Sequence, residues 1–377
     1  MDIACQGEVL ARLKVNDSIE ESSRAYYVGA QPSAEEQVRF LAMIEKLLDE
    51  GQFVATYKYA LLLSLVELAI EHGNDSGAPM RVPVISIAEK FIELYWRQVL
   101  PYSGMDSTTD GRLHQNKGAQ AKAITTLSAA REQLATLTQL RASRRWESLR
   151  STIAALICKM PLGKLQTIGG DKLEFLYRID EESKSIDLLP GVVFNFRRYA
   201  QIIRRLVQSD WLEFVQNLPA NRAVLGQAAT LASFMFGDER QSLRKMRGPL
   251  EEIQRGRCFY CNRSIRKEGH VDHFVPWSRY PRDLIHNFVL THASCNSAKS
   301  DFLAAEEHLD RWCERNQRFS RELVCASEQA GILIDHAASM CATRWSYGHA
   351  EDLGARVWVR NKEFNALSGS WRNILAA

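Results

Sequence analysis

Apolar residues recur at helical spacing along most of the chain, and the places where that period stops divide it. Val38, Leu41, Ile44, Leu47 and Leu48 share one helical face. Ser33-Ala34-Glu35-Glu36 has the form of a capping box ahead of them, and Gly51 closes the element. Tyr59, Leu62, Leu63, Val66 and Ile70 continue the period from a cap at Thr56 to Gly73. A Gly/Pro-rich loop over 73–83 leads to a third helix over 86–100, stopped by Pro101, whose Phe91, Tyr95 and Trp96 are expected in the core. A polar, turn-rich stretch over 103–112 then precedes a second helical region at 117–159. Partial alternation over 173–179 and again over 186–189, around Asp180-Glu181-Glu182-Ser183-Lys184, predicts a hairpin among helices. A helix follows over 194–217, on which Arg197, Arg204 and Arg205 could form a basic stripe. Beyond 301 the period returns over 304–315, 321–330 and 332–345, with 356–359 a late strand or helix. The expected fold is mainly α: an N-terminal helical bundle over 1–110, a second helical region with a small hairpin over 111–250, a compact module over 251–305, and a C-terminal helical region over 306–377.

Helical period is lost between 257 and 301, and candidate chemistry is concentrated there. Cys258-x-x-Cys261 offers two thiolates from one tight turn, with Gly256 allowing the bend. His292 and Cys295, three apart on a presumed helix, share a face and could complete four tetrahedral zinc ligands. Two buried thiols would be a plainer account of the Cys pair, and a redox pair would need a βαβ setting that is not there. His270 to Val275 alternates and stops at Pro276, so it predicts a short strand with Asp272 and His273 on opposite faces. That arrangement suits an Asp feeding an oxygen-seeking cation beside a His facing a water. Asn296 follows Cys295 on the helix, turned by roughly 100°, and can offer its amide oxygen beside Asp272. Asn287 is expected to bond backbone and fix the loop, and Lys299 to touch a phosphate or to be solvated.

With C-x-x-C, D-H-x-x-P, a following Asn and C-N-x-x-K in place, the stretch resembles the HNH (ββα-metal) endonuclease family. His273 matches the first His of the motif and Asn287 the middle Asn. Asn296 takes the last position, as in the HNH domains of CRISPR effector nucleases and phage junction resolvases. The resemblance implies a hairpin–helix module at 251–305 and a catalytic role for His273, Asn287 and Asn296. It also implies a Mg²⁺ (or Mn²⁺) ion on Asp272 and Asn296, structural Zn²⁺ on Cys258, Cys261, His292 and Cys295, and phosphodiester hydrolysis. One departure is His292, where the family's second zinc pair begins with Cys. The N-terminal region is loosely similar to regions fused to HNH nucleases in bacterial genome defence, so restriction or antiphage defence is a further expectation.

Net charge is only +3, but residues 240–299 carry 12 Lys and Arg against 5 Asp and Glu. Such a local excess is the footprint a phosphate backbone requires, with Arg255, Arg257 and Lys299 as candidate contacts to double-stranded DNA. A zinc-stabilised nucleic-acid-binding module without cleavage is the alternative on the same residues, and the helical region could dock protein partners. The eight cysteines do not pattern as a disulfide framework. Residues 1–8 lack a signal-peptide start, and the apolar run at 60–70 is interrupted by Glu67, so a cytoplasmic protein with no membrane span is expected.

Overall fold

The computed structural model of the chain describes residues 30–102, 111–225, 231–237 and 240–376. Residues 1–29, read above for targeting, and most of the turn-rich stretch at 103–112 lie outside the described residues. The fold is mainly α, with fifteen helices and nine short strands among the described residues. No helix among them is long and apolar enough to cross a membrane.

The helix Tyr57–His72 is the axis of the body. It is apolar on every side, and every residue of it except His72 is buried. A helix of that kind has no solvent face and needs neighbours all round. They are Val84–Trp96, Val192–Arg198, Ala200–Asn217 and His336–Asp352, which pack against it from both ends of the sequence. One continuous apolar cluster therefore runs from Phe40 to Leu375. In front of the axis, the helix Ala34–Glu50 starts with the expected box: Ser33 Oγ accepts from Glu36 N–H at 3.3 Å, and Glu36 accepts from Ser33 N–H at 2.7 Å. It stops at Gly51, where a Cβ would lie 2.2 Å from the Leu47 carbonyl oxygen. Thr56 precedes the next helix without capping it, because its hydroxyl bonds Tyr95 Oη at 2.6 Å.

The expected hairpin forms from Tyr177–Asp180 and Ser185–Leu188. A third strand, Met80–Pro83, pairs antiparallel with Ser185–Leu188 from within the stretch read as loop. The late segment is a strand, Arg356–Arg360, paired with Glu363–Ala366. The single helix expected over 194–217 is two, Val192–Arg198 and Ala200–Asn217, meeting at Tyr199. The basic stripe on it does not exist as a surface feature. Arg197 is buried, bonding Asp75 at 2.6 Å and the carbonyls of Ala69, Ile70 and Gly73, and Arg204 is buried with Nη1 on the Arg279 carbonyl.

Charged residues inside the apolar helices find each other across the fold. Glu71 Oε1 accepts from Lys90 at 2.6 Å, from Tyr280 at 2.5 Å and from Arg282 at 2.7 Å. Arg282 also pairs with Glu93 at 2.9 Å, and Arg141 reaches Glu93 at 2.5 Å. Tyr280 and Arg282 belong to the loop between the two strands of the 251–305 module, so that loop is plugged into the helical body. Burial works to raise the Glu71 carboxyl, but Lys90, Arg282 and the hydrogen bonds from Lys90 and Tyr280 outweigh it and hold its pKa at about 2. A carboxylate depressed in the folded state stabilises it fully above its unfolded pKa and loses that contribution as pH falls toward the folded value. The unfolding free energy of the wild type is accordingly expected to fall more steeply with acidification below about pH 4.3 than that of Glu71→Gln. Chemical denaturation across that range checks this, and parallel slopes would contradict it.

Candidate active site and metal centre

The stretch expected as a compact module contains a two-stranded hairpin followed by a helix, Ala293–Lys299. His270–His273 pairs antiparallel with Phe288–Thr291, placing Asp272 opposite Val289 and His273 opposite Phe288. Side chains alternate along the second strand, so Val289 enters the main core while Phe288 and Leu290 enter a smaller one. That second core comes from the helices Arg240–Ile253 and Ser320–Ala330. On the other side, helix Glu306–Arg318 clamps the strand: Trp312 Nε1 and Arg315 both donate to the His286 carbonyl, and Arg315 to that of Phe288, at 2.8 Å each. The hairpin is held from both faces.

Cys258, Cys261, His292 and Cys295 bring their ligand atoms within 4.8 Å of one another. Gly256 takes φ +65° ahead of the first pair, and Asn262 takes φ +57° after it, so the turn is as tight as the sequence suggested. His292 stands at the N-cap position of the helix Ala293–Lys299 instead of within it, yet its Nδ1 still faces Cys261 Sγ at 3.3 Å and Cys295 Sγ at 3.9 Å. The opposite ring nitrogen, Nε2, is 3.3 Å from the Ser264 carbonyl. A carbonyl can only accept, so it fixes the proton on Nε2 and leaves Nδ1 as the ligand nitrogen. Three thiols this close cannot all ionise unaided: burial and the neighbouring sulfurs push Cys295 up to about 12. A dication would remove that repulsion, and a soft tetrahedral S₃N set fits zinc.

Around the candidate catalytic residues, Asp272 is buried, and its Oδ2 accepts from Tyr260 Oη at 2.7 Å and pairs with Lys299 Nζ at 3.1 Å. Its Oδ1 has no hydrogen bond among the described residues. Asn296 is half-buried one turn before Lys299 on the same helix, and its amide also has no side-chain hydrogen bond there. Lys299 donates to the His273 carbonyl at 2.9 Å, which seats that helix on the first strand. Oxygen donors of this type are the kind that a divalent ion keeping most of its waters takes, and Lys299 offsets part of the Asp272 charge. Such an ion is held firmly only once phosphate oxygens join it.

His273 ends the strand next to Asp272, and both are buried. Its Nε2 is 2.8 Å from Asp283 Oδ1, and its ring packs on Trp277 and Phe288. The carboxylate holds the proton on Nε2 and leaves Nδ1 as the basic nitrogen. Asn287 bonds backbone and fixes the loop, as expected: Oδ1 accepts from Val275 N–H at 2.7 Å and Nδ2 donates to the Val275 carbonyl at 2.9 Å. It is buried, which suits a positioning place more than the catalytic role the resemblance implies. The expectation for Lys299 changes. Lys299 is fully buried and so out of reach of an external phosphate. Arg255 and Arg257 remain exposed, the latter donating to the Asn262 carbonyl.

Tyr260, Asp283 and Arg282 were not singled out from the sequence. The signal available for the last two was a charged Pro-Arg-Asp run inside the loop that follows D-H-x-x-P. The purified chain is expected to carry one zinc ion, and Cys295→Ser to lower its occupancy while Cys313→Ser, outside the cluster, leaves it intact. Native mass spectrometry reads the stoichiometry; equal occupancy in all three proteins would contradict the site.

Two family models match the chain. One, described as a domain of unknown function (DUF8808), covers residues 37–233, and the other, HNH endonuclease, covers residues 258–302. No curated protein and no solved structure matches it. The first match spans more than half of the 377 residues, and the second coincides with the hairpin, the helix and the Cys/His cluster. The chain belongs to the DUF8808 domain family and carries an HNH endonuclease-family module behind that domain.

Proposed function

We propose that the protein is a divalent-metal-dependent endonuclease that hydrolyses phosphodiester bonds of double-stranded DNA, with zinc as a structural ion. The observation that carries this reading is the Asp283–His273 pair, with His273 next to Asp272 on one strand and bonded through its carbonyl to the helix bearing Asn296. Asp272 Oδ1 and the Asn296 amide oxygen would hold Mg²⁺ or Mn²⁺, which when bound offsets charge on the phosphate oxygens and the leaving oxygen. His273 Nδ1 takes the proton of the attacking water, and Asp283 orients the ring and stabilises the imidazolium that results. Asn287 holds the backbone at Val275, just beyond the strand that carries both Asp272 and His273, and so fixes where the imidazole starts. Arg255 and Arg257 supply sequence-independent phosphate contacts. A role in restriction or antiphage defence rests on the loose likeness of the helical region to regions fused to such nucleases.

One observation favours a second reading, a zinc-stabilised nucleic-acid-binding module without cleavage. Lys299 Nζ lies 3.1 Å from Asp272, a positive charge beside the place where a catalytic ion would sit. Supercoiled plasmid separates the two. With Mg²⁺ or Mn²⁺, nicking by the wild type is expected, reduced by about 10²-fold or more in His273→Ala, with plasmid binding unchanged. Asp283→Asn is expected to lower kcat less than His273→Ala and to leave KM unaltered. Binding without nicking in the presence of either metal would establish the non-cleaving module.

A further inference from the structure

Between the helical body and the loop at 276–284 lies a cavity of about 170 Å³. A cavity of about 150 Å³ accepts a single benzene-sized ring, so this one has room for one heteroaromatic base. Trp96, Phe236 and the half-exposed Trp277 form apolar parts of its wall. Two polar side chains on that wall are unspent. Glu67 is 6% exposed, with its closest cation, Lys90, at 3.9 Å and no hydrogen bond among the described residues. Arg204 is also 6% exposed; its Nη1 is used by the Arg279 carbonyl, but Nη2 has no partner. Buried polar groups are ordinarily satisfied, and a carboxyl held only by a long ion pair to Lys90, with an underused guanidinium on the same wall, is the pattern of a site awaiting a ligand. Burial holds the Glu67 carboxyl above the usual carboxylate range and outweighs the opposing pull of Lys90 and Arg204, so the two side chains already sense each other.

The cavity shares walls with the site. Asp283, which bonds His273, lines it, and so does Trp277, whose ring centroid is 5.2 Å from that of His273. We propose that it receives one guanine base, unstacked from the strand whose phosphate is presented to His273; this rests on the nuclease reading above. Guanine is the base that fits both groups. Its N1–H and exocyclic amine are donors for a carboxylate, and its O6 and N7 accept from arginine. Adenine offers a 6-amine donor, not an O6 acceptor, to the Arg204 guanidinium. Extruding one base costs a few kcal/mol of stacking and pairing, which the aromatic wall and the polar pair offset.

Calorimetric titration of the full-length protein with guanosine, adenosine, cytidine and thymidine, without metal, tests the pocket. Guanosine is expected to bind about tenfold or more tightly than the other three. Glu67→Gln, and Leu94→Trp which fills the cavity, are each expected to weaken it by a similar factor at unchanged circular dichroism. In plasmid nicking, added guanosine is expected to raise KM and leave kcat alone. A rise in kcat would make a free nucleoside the occupant and overturn the strand-borne version. Absent or indiscriminate nucleoside binding overturns the pocket even if the protein nicks plasmid. Selective guanosine binding by a protein that cuts nothing keeps the base pocket and removes the nuclease reading.

Discussion

A buried carboxylate in the helical body, Glu71, is what ties the HNH-family module to the rest of the chain. Three donors converge on one of its oxygens, and two of them, Tyr280 and Arg282, come from the module's own loop. Buried ion pairs contribute little net stability, because desolvation consumes most of the attraction. Breaking one is costly, at about 3–5 kcal/mol, since the remaining charge is left unpaired. The body and the loop are therefore locked in one arrangement. The residue after Arg282 is Asp283, the carboxylate on His273. The conformation of the loop that orients the imidazole is thus set by a helix more than two hundred residues earlier in the chain.

A second anchor acts from the other side. The Cys/His cluster fixes the start of the helix Ala293–Lys299 against the Cys258–Cys261 turn, and Lys299 fixes its end against Asp272 and the His273 carbonyl. Tyr260, between the two cysteines, donates to Asp272 and so links the metal knot directly to the candidate ion site. Side chains that look like surface chemistry turn out to be fasteners. Asn287, Lys299 and Arg282 each spend their polar atoms inside the protein, leaving Asp272 Oδ1, Asn296 and His273 Nδ1 as the groups with capacity to spare.

What the sequence made legible was local. The capping box at Ser33, the stop at Gly51, the Cys-x-x-Cys turn and the strand ending before Pro276 all follow from residues within a few positions of each other. What it hid was partnership across distance. Met80–Pro83 reads as loop because its partner strand is more than a hundred residues away. Arg197, Arg204 and Lys299 read as solvated because long cations usually are; only the fold shows the carbonyls and carboxylates that accept from them. Glu67, Glu71 and Lys90 were a usable clue, since charges inside helices otherwise apolar on every side demand buried partners.

The proposed hydrolysis requires Asp272 and Asn296 to converge on one divalent ion while His273 faces the water beside it. Anomalous diffraction from crystals soaked in Mn²⁺ with a nucleic-acid duplex measures this directly. It should give one peak within about 2.2 Å of an Asp272 carboxylate oxygen and of the Asn296 amide oxygen, separate from the Cys/His cluster. A peak confined to that cluster, or an ion bound away from both oxygens, would contradict it.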